Sequence, residues 1–323
     1  MTAEYSGGPR AIARQIALRL VPWQSARQQL SRLHRRMHWG WEYLTQPRSI
    51  FHPFRCNVCG RSTSFPSDQL SRELWSCVYC GSSVRFRSVI QALSTELFGA
   101  SLAIPDFPHR PDLVGIGLSD WEGYASRLAE KLSYTNTYYH QEPFLDITSV
   151  EPSLYGRYDF IISTDVFEHI APPILNAFEN ARRLLKPNGV MIFTVPYVQG
   201  ETREHYPELH QFSIQQKGDT WVVINETSDG RKQEFTNVTF HGGPGTVIEM
   251  RLFGKDALLR NVQDAGFGDV KIYEIESPND GIRWVPYIAE NAPYRPLIYG
   301  LDTPPWALRN NLPTTEQTDT LSL

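Results

Sequence analysis

No stretch of this 323-residue chain approaches 18 consecutive apolar residues, about the length a bilayer-spanning helix needs. The start also lacks the charged, then apolar, then small-residue pattern of a secretory leader. A reducing, cytoplasmic setting is therefore expected. Cysteine is scarce, at four residues, and in such a setting cysteines hold metal more often than they form disulfides. Apolar residues make up 41% and charged residues 20%, which excludes a mostly disordered chain and a collagen-like fibre. The length suits about two domains of roughly 150 residues. Lysine is missing from the first 90 residues, which carry 13 Arg against four acids, a balance of +9. The remainder carries 18 basic and 31 acidic residues, or −13. The two parts face different surroundings, or each other. There is no internal repeat.

The chain divides into four stretches. Residues 1–50 read as a basic helical arm, with Ile12, Ile16 and Leu20 at helical spacing and Arg10 and Arg14 off that face. Plain packing on the main domain is the leading reading. A membrane-surface helix, a nucleic-acid arm and a transit peptide are the others, so the arm is open to contact with an anionic surface. Residues 51–87 are turn-rich and hold every cysteine. From 88 to 302 apolar strand-like runs alternate with helical ones: LVGIGL, a helix at 120–132, YTNTYYH, DFIIST, a helix at 172–185, VMIFTV, a helix at 255–265 and DVKIYEIE. This alternation predicts an α/β fold with helices on both faces of a parallel sheet. An insertion at about 198–250 interrupts it, with Asp229-Gly230 as a hairpin turn. Residues 303–323 read as a loose polar tail.

Cys56-x2-Cys59 and Cys77-x2-Cys80 are separated by 17 residues. Two such knuckles fit a tetrahedral zinc site, and four thiolates leave no open position, so the site is structural. The segment resembles a zinc ribbon. Arg55, Arg61, Arg85 and Arg87 flank it and offset its negative charge.

The run LVGIGL ends in Gly115-Ile-Gly117-Leu-Ser119-Asp120 and enters a helix. A strand, a glycine turn and a helix N-terminus make a ligand-binding corner. A nicotinamide dinucleotide fingerprint would need a third glycine where Asp120 stands, and a P-loop lysine is absent. The pieces that follow are more specific: YDFIISTDVFEHI, then ARRLLKPNGVMIFTVP, then AGFGDVKIYEIE. Here the chain resembles the class I S-adenosylmethionine-dependent methyltransferases, over roughly 111–200 and 253–277. The resemblance implies a Rossmann-like, mostly parallel, seven-stranded sheet, with S-adenosylmethionine as cofactor beside structural zinc.

By position, the resemblance places Gly115, Gly117, Ser119 and Asp120 at the glycine loop, Glu142 near the ribose, and Asp146 and Ile147 at the adenine. Thr164, Asp165 and Val166 line the methionine part, and Glu168 and His169 match a Glu-His pair beyond that strand. The family's loop acid falls on Gly115 and its later glycines on Ser119 and Trp121, which is a departure. Inserts in the family often hold the acceptor, so His205 or His241 of the 198–250 insertion is a candidate base, since histidine titrates near neutrality. The expected acceptor is a small molecule or saccharide. RNA is the alternative, favoured by the basic arm, and a non-catalytic binding module on the same fold is a further one.

Overall fold

The computed structural model of the chain describes residues 50–273 apart from 242, together with 277–282, 306–309 and isolated positions 33, 37 and 40. Apart from positions 33, 37, 40 and 50, the predicted basic arm lies outside the described residues. The chain separates into two units, Met1–Asp146 with Tyr273–Ile288, and Ile147–Ile272 with Ala289–Leu323.

The first unit begins with a hairpin of β1 (Phe51–Arg55) and β2 (Ser62–Pro66). Helix α1 (Val84–Phe98) follows, capped by the Ser83 hydroxyl and ended by Gly99 in the left-handed region, where a Cβ would be strained. It buries Val89, Ile90, Ala92 and Leu93. Strand β3 (Arg110–Leu118), helix α2 (Glu122–Ala129) and strand β4 (Leu132–Thr137) then form a parallel βαβ unit. Tyr124 and Ala125, with Leu128 one turn on, form the buried face of α2.

The second unit holds β5 (Tyr158–Thr164), helix α3 (Leu175–Leu184) and β6 (Leu185–Thr194), with β5 and β6 parallel. Phe160, Ile161 and Ile162 are fully buried, as a strand covered on both faces requires. Ala177, Phe178, Ala181 and Leu184 bury one stripe of α3. The insertion and its flanks supply β7 (Tyr197–Val198), β8 (Arg203–Glu204), β9 (Gln211–Lys217), β10 (Thr220–Glu226), β11 (Lys232–Phe235), β12 (Phe240–His241), β13 (Val247–Ile248) and, just after the insertion, β14 (Arg251–Gly254). It has its own core of Tyr206, Val223, Ile248 and Met250, with Phe212 and Phe235 packed on it. The β10–β11 turn is the one expected. Thr227 N–H donates to Arg231 O at 2.9 Å, and Gly230 takes φ 83°. Hydrogen bonds from Thr227 and Arg231 hold the Asp229 carboxyl down to about 2. Helix α4 (Lys255–Asp264), strand β15 (Asp269–Ile272) and strand β16 (Trp306–Arg309) complete the unit.

Two expectations change. The strands of the central type number six among the described residues, two in the first unit and four in the second, against seven expected. They are also mixed in direction, because β16 runs antiparallel to both β6 and β15. The stretch 303–323 was expected to be loose, yet Trp306–Arg309 is a strand that buries Ala307 and Leu308. Pairing with β6 and β15 is a tertiary effect that a four-residue run cannot announce. No helix among the described residues is long and apolar enough to cross a membrane.

Candidate functional site

The cysteine cluster is built by two matched knuckles. Gly60 N–H donates to Cys56 O at 2.7 Å and Gly81 N–H to Cys77 O at 2.8 Å. Both glycines have left-handed φ, 72° and 81°, which is why glycine follows each knuckle. The four Sγ atoms lie within 4.8 Å of one another, with Cys56–Cys80 and Cys59–Cys77 at 3.7 Å. Four thiolates at about 2.3 Å from one zinc ion sit about 3.8 Å apart in a tetrahedron. The donor set therefore fits zinc in type, number and spacing.

Of the four flanking arginines, Arg87 is the one enclosed beside the sulfurs. It is fully buried. It donates to Ser82 O (2.9 Å), Ser76 Oγ (2.7 Å) and Gly281 O (2.7 Å), and lies over the Phe54 ring. Burial lowers its pKa from the ordinary arginine value, against the pull of the Cys56, Cys77 and Cys80 sulfurs. Arg55 pairs with Asp106, Arg85 with Glu73, and Arg61 lies over the Tyr79 ring.

The glycine corner at the end of β3 is locked by β4. Ser119 N–H donates to Thr137 O at 2.7 Å, and Thr137 Oγ1 donates to Gly117 O at 2.7 Å. Asp120 is buried. Its N–H donates to Asn136 Oδ1 (2.9 Å), Asn136 Nδ2 donates back to Asp120 O (2.9 Å), and Asp120 Oδ2 accepts from the Tyr134 hydroxyl. Burial, then the Asp120 charge, pushes the Tyr134 phenol well above its ordinary pKa. A Cβ on Gly117 would collide with the Tyr134 hydroxyl and Asp120 Oδ2, and would lie 2.9 Å from Asp120 Cγ. The clasp alone thus demands this glycine. Ser119 is exposed, at φ 57°. Glu142 turns back on its own loop, accepting from Phe144 N–H at 3.0 Å. Gly115 is buried within β3, and Asp146 is half-buried.

In the second unit, Thr164 and Asp165 close β5 and are both buried. Asp165 has φ 53°, its N–H donates to Thr194 O (3.0 Å), and its Oδ1 accepts from Thr194 Oγ1 (2.7 Å). Val166 is half-buried. Ile147 is buried, and its carbonyl accepts from Asn180 Nδ2 at 2.9 Å. Beyond β5 comes the short 3-10 turn Phe167–His169. Met250 N–H donates to Glu168 O at 2.8 Å, joining the end of the insertion to this turn. Burial lowers the His169 pKa from its ordinary value.

Three residues with clear roles carried no sequence signal. Arg251 is fully buried and donates to Ile170 O (2.6 Å), Phe167 O (3.2 Å) and Glu204 Oε1 (2.8 Å). Glu249 accepts from His205 Nε2 at 2.9 Å. Tyr134 holds Asp120 from the neighbouring strand. Each acts through a distant partner, so local pattern does not reveal it.

Residues 108–272, or 165 of 323, match a family model described as a methyltransferase domain. The chain belongs to the methyltransferase-domain family. Several solved structures resemble this methyltransferase at a distance. One is the 1,6-didemethyltoxoflavin-N1-methyltransferase of Burkholderia thailandensis, with its didemethyltoxoflavin and S-adenosylhomocysteine bound. It is 11% identical, over 69% of this chain and 78% of that one, with a TM-score of 0.36. Another is CalS10, an amino pentose methyltransferase of Micromonospora echinaspora, with S-adenosylmethionine bound. It is 12% identical, over 71% and 92% of the two chains, with a TM-score of 0.35. A third is the sugar N-methyltransferase KedS8 of Streptoalloteichus, 9% identical over 71% and 87%, with a TM-score of 0.36. No curated protein sequence matches the methyltransferase significantly.

The methyltransferase thus carries two strand ends with left-handed, non-glycine residues, Ser119 after β3 and Asp165 after β5. It also carries a His205–Glu249 pair and a Glu168–His169–His241 cluster, both within the second unit.

Proposed function

We propose that this methyltransferase uses S-adenosylmethionine to methylate an oxygen or nitrogen of a small molecule or saccharide, with a zinc ribbon as a structural module. The observation that carries the cofactor assignment is the backbone at the two strand ends. Ser119 and Asp165 each hold a left-handed conformation that costs about 1–3 kcal/mol in a non-glycine residue. Such strain persists where surrounding bonds impose it, and it clusters at ligand sites. In open α/β sheets, ligands bind at the carboxyl ends of strands. The residues present suit the group in type, since exposed Ser119 and half-buried Asp146 are polar and Ile147 and Val166 are apolar.

Bound S-adenosylmethionine supplies an electrophilic methyl on a sulfonium whose departure leaves a neutral thioether. Little acid–base machinery is then needed, and alignment and exclusion of water dominate. In this reading Gly115, Gly117, Ser119 and Asp120 shape the loop, and Asp146 and Ile147 take the adenine. Thr164, Asp165 and Val166 border the methionine part. Glu142, turned onto its own loop, would have to swing out to reach a ribose. His205 is the candidate base. Its Nε2–H donates to Glu249, so in the neutral ring Nδ1 is left to accept a proton from a hydroxyl or ammonium acceptor. Glu249 orients the ring.

The small-acceptor reading is supported by the insertion, which packs its own core and brings His205, His241 and Glu249 into the second unit. Methyl-labelled S-adenosylmethionine offered with a pool of small hydroxylated and aminated molecules and saccharides, or with total RNA, tests it. Label should enter the small-molecule pool and fall about 100-fold or more in His205→Ala. Label entering RNA instead would overturn the acceptor class.

A further inference from the structure

We infer that Glu168, His169 and His241 form a second metal site, distinct from the cysteine cluster, that takes one first-row divalent transition ion such as Mn2+, Fe2+, Co2+ or Zn2+. One ligand atom from each residue lies within 4.8 Å of the others. The separations are 3.7 Å for Glu168 Oε1 to His169 Nε2, 3.8 Å for Glu168 Oε1 to His241 Nδ1, and 3.2 Å between the two ring nitrogens. Ligands at about 2.1 Å from one ion stand about 3.0 Å apart in cis octahedral geometry and about 3.4 Å apart in a tetrahedron. The triangle therefore closes on a tetrahedral ion with shifts of up to about 0.4 Å, and on a cis octahedral one with shifts of up to about 0.8 Å.

The surrounding bonds prepare these atoms as ligands. His169 Nδ1 lies 2.8 Å from Ile248 O, a carbonyl that only accepts, so Nδ1 carries the proton. In the neutral ring Nε2 is then the accepting nitrogen, 3.2 Å from His241 Nδ1 and 3.7 Å from Glu168 Oε1. A metal-binding histidine has this arrangement, its other N–H donated to a backbone carbonyl. One hairpin, β12 with β13, supplies both His241 and the Ile248 carbonyl. The turn bearing Glu168 and His169 is held on each side by buried Arg251, through Phe167 O and Ile170 O, and by Met250 N–H on Glu168 O. Ligands fixed by supporting bonds are what a metal site needs. The Glu168 side chain is fully buried, whereas that of His169 is 14% and that of His241 28% exposed, so the cluster is reached from the histidine side.

The ligand types select the ion class. Two imidazoles and one carboxylate suit transition ions, while magnesium and calcium prefer all-oxygen shells. Three protein ligands leave one tetrahedral position or three octahedral positions open. In a methyltransferase, an open position beyond β5 suits an acceptor oxygen. The site itself stands on these residues whether or not the acceptor class proposed above is right.

The test uses the full chain loaded with one equivalent of zinc at its cysteine site and freed of excess zinc, so that only the second site is titrated. Mn2+ is added and the free aquo ion is followed by electron paramagnetic resonance, and the titration is repeated with Co2+ by visible absorption. One equivalent should bind, and His241→Ala should weaken it by at least about tenfold with unchanged circular dichroism and zinc content. His241 is partly exposed, so this variant should fold even if Glu168→Gln does not. Absence of Mn2+ and Co2+ binding to folded wild type, or equal affinity in His241→Ala, would overturn the inference and leave the three residues as a proton-sharing cluster. A parallel titration with S-adenosylhomocysteine reads the cofactor assignment separately. S-Adenosylhomocysteine binding without metal fails only the metal site, and metal binding without S-adenosylhomocysteine fails only the cofactor reading.

Discussion

Replacing Gly117 with alanine places a methyl group against the Tyr134 hydroxyl and the Asp120 carboxylate. Neither is the free end of a flexible chain. Tyr134 sits on β4, and Asp120 is fixed through its own N–H and carbonyl by Asn136. Relief requires opening the Tyr134–Asp120 hydrogen bond. Overpacking costs about 1–3 kcal/mol, and a buried carboxylate that loses a donor costs about 1–3 kcal/mol. The expected total is about 3 kcal/mol, which lowers the melting temperature by about 6–12 °C for a domain of this size. Differential scanning calorimetry on wild type, Gly117→Ala, Tyr134→Phe and the double variant reads it. Tyr134→Phe removes the colliding hydroxyl as well as the hydrogen bond. The double variant should therefore lose less stability than the two single losses combined, by about 1 kcal/mol or more. Strict additivity, or a Gly117→Ala variant as stable as wild type, refutes the clasp.

Other outcomes follow from the same contacts. The folded-state pKa of Tyr134 is raised, so its contribution to stability is complete below the unfolded value of about 10 and is lost as pH rises beyond it. Urea midpoints should fall between about pH 9 and 11 in wild type, with a shallower fall in Tyr134→Phe; equal slopes contradict this. Arg251→Met strips buried carbonyls of Phe167 and Ile170 of a donor and should cost about 2–4 kcal/mol. An unchanged denaturation midpoint contradicts that role. Cys77→Ser should lose about one equivalent of zinc per chain relative to wild type by elemental analysis, and should also melt earlier because metal-binding energy is folding energy. A folded, metal-free wild type contradicts the ribbon.

Much of this was legible in the sequence because the signals are local. The Cys-x2-Cys spacing with its trailing glycines, the apolar run Phe160–Ile162 and the helical stripe Ala177, Phe178, Ala181 and Leu184 each reflect a period or a turn that one segment sets alone. The turn at Asp229-Gly230 is of the same kind. Strand β16 was hidden because four residues after two prolines gain their conformation only from β6 and β15. Arg251 and Glu249 were hidden because their partners lie about 80 and 44 residues away. Asp120 stood out as a departure at the glycine loop. Its function as the anchor of that loop became visible only with Tyr134 and Asn136 across the strand pair.

The central claim is that this methyltransferase binds S-adenosylmethionine despite its unusual glycine loop. Calorimetric titration of the zinc-loaded chain with S-adenosylmethionine and S-adenosylhomocysteine tests it most directly, with Asp146→Ala beside wild type. One site per chain of about micromolar affinity, or about −8 kcal/mol, is expected, weakened at least about tenfold in the variant. Absence of binding to the folded protein, with or without candidate acceptors, would contradict it.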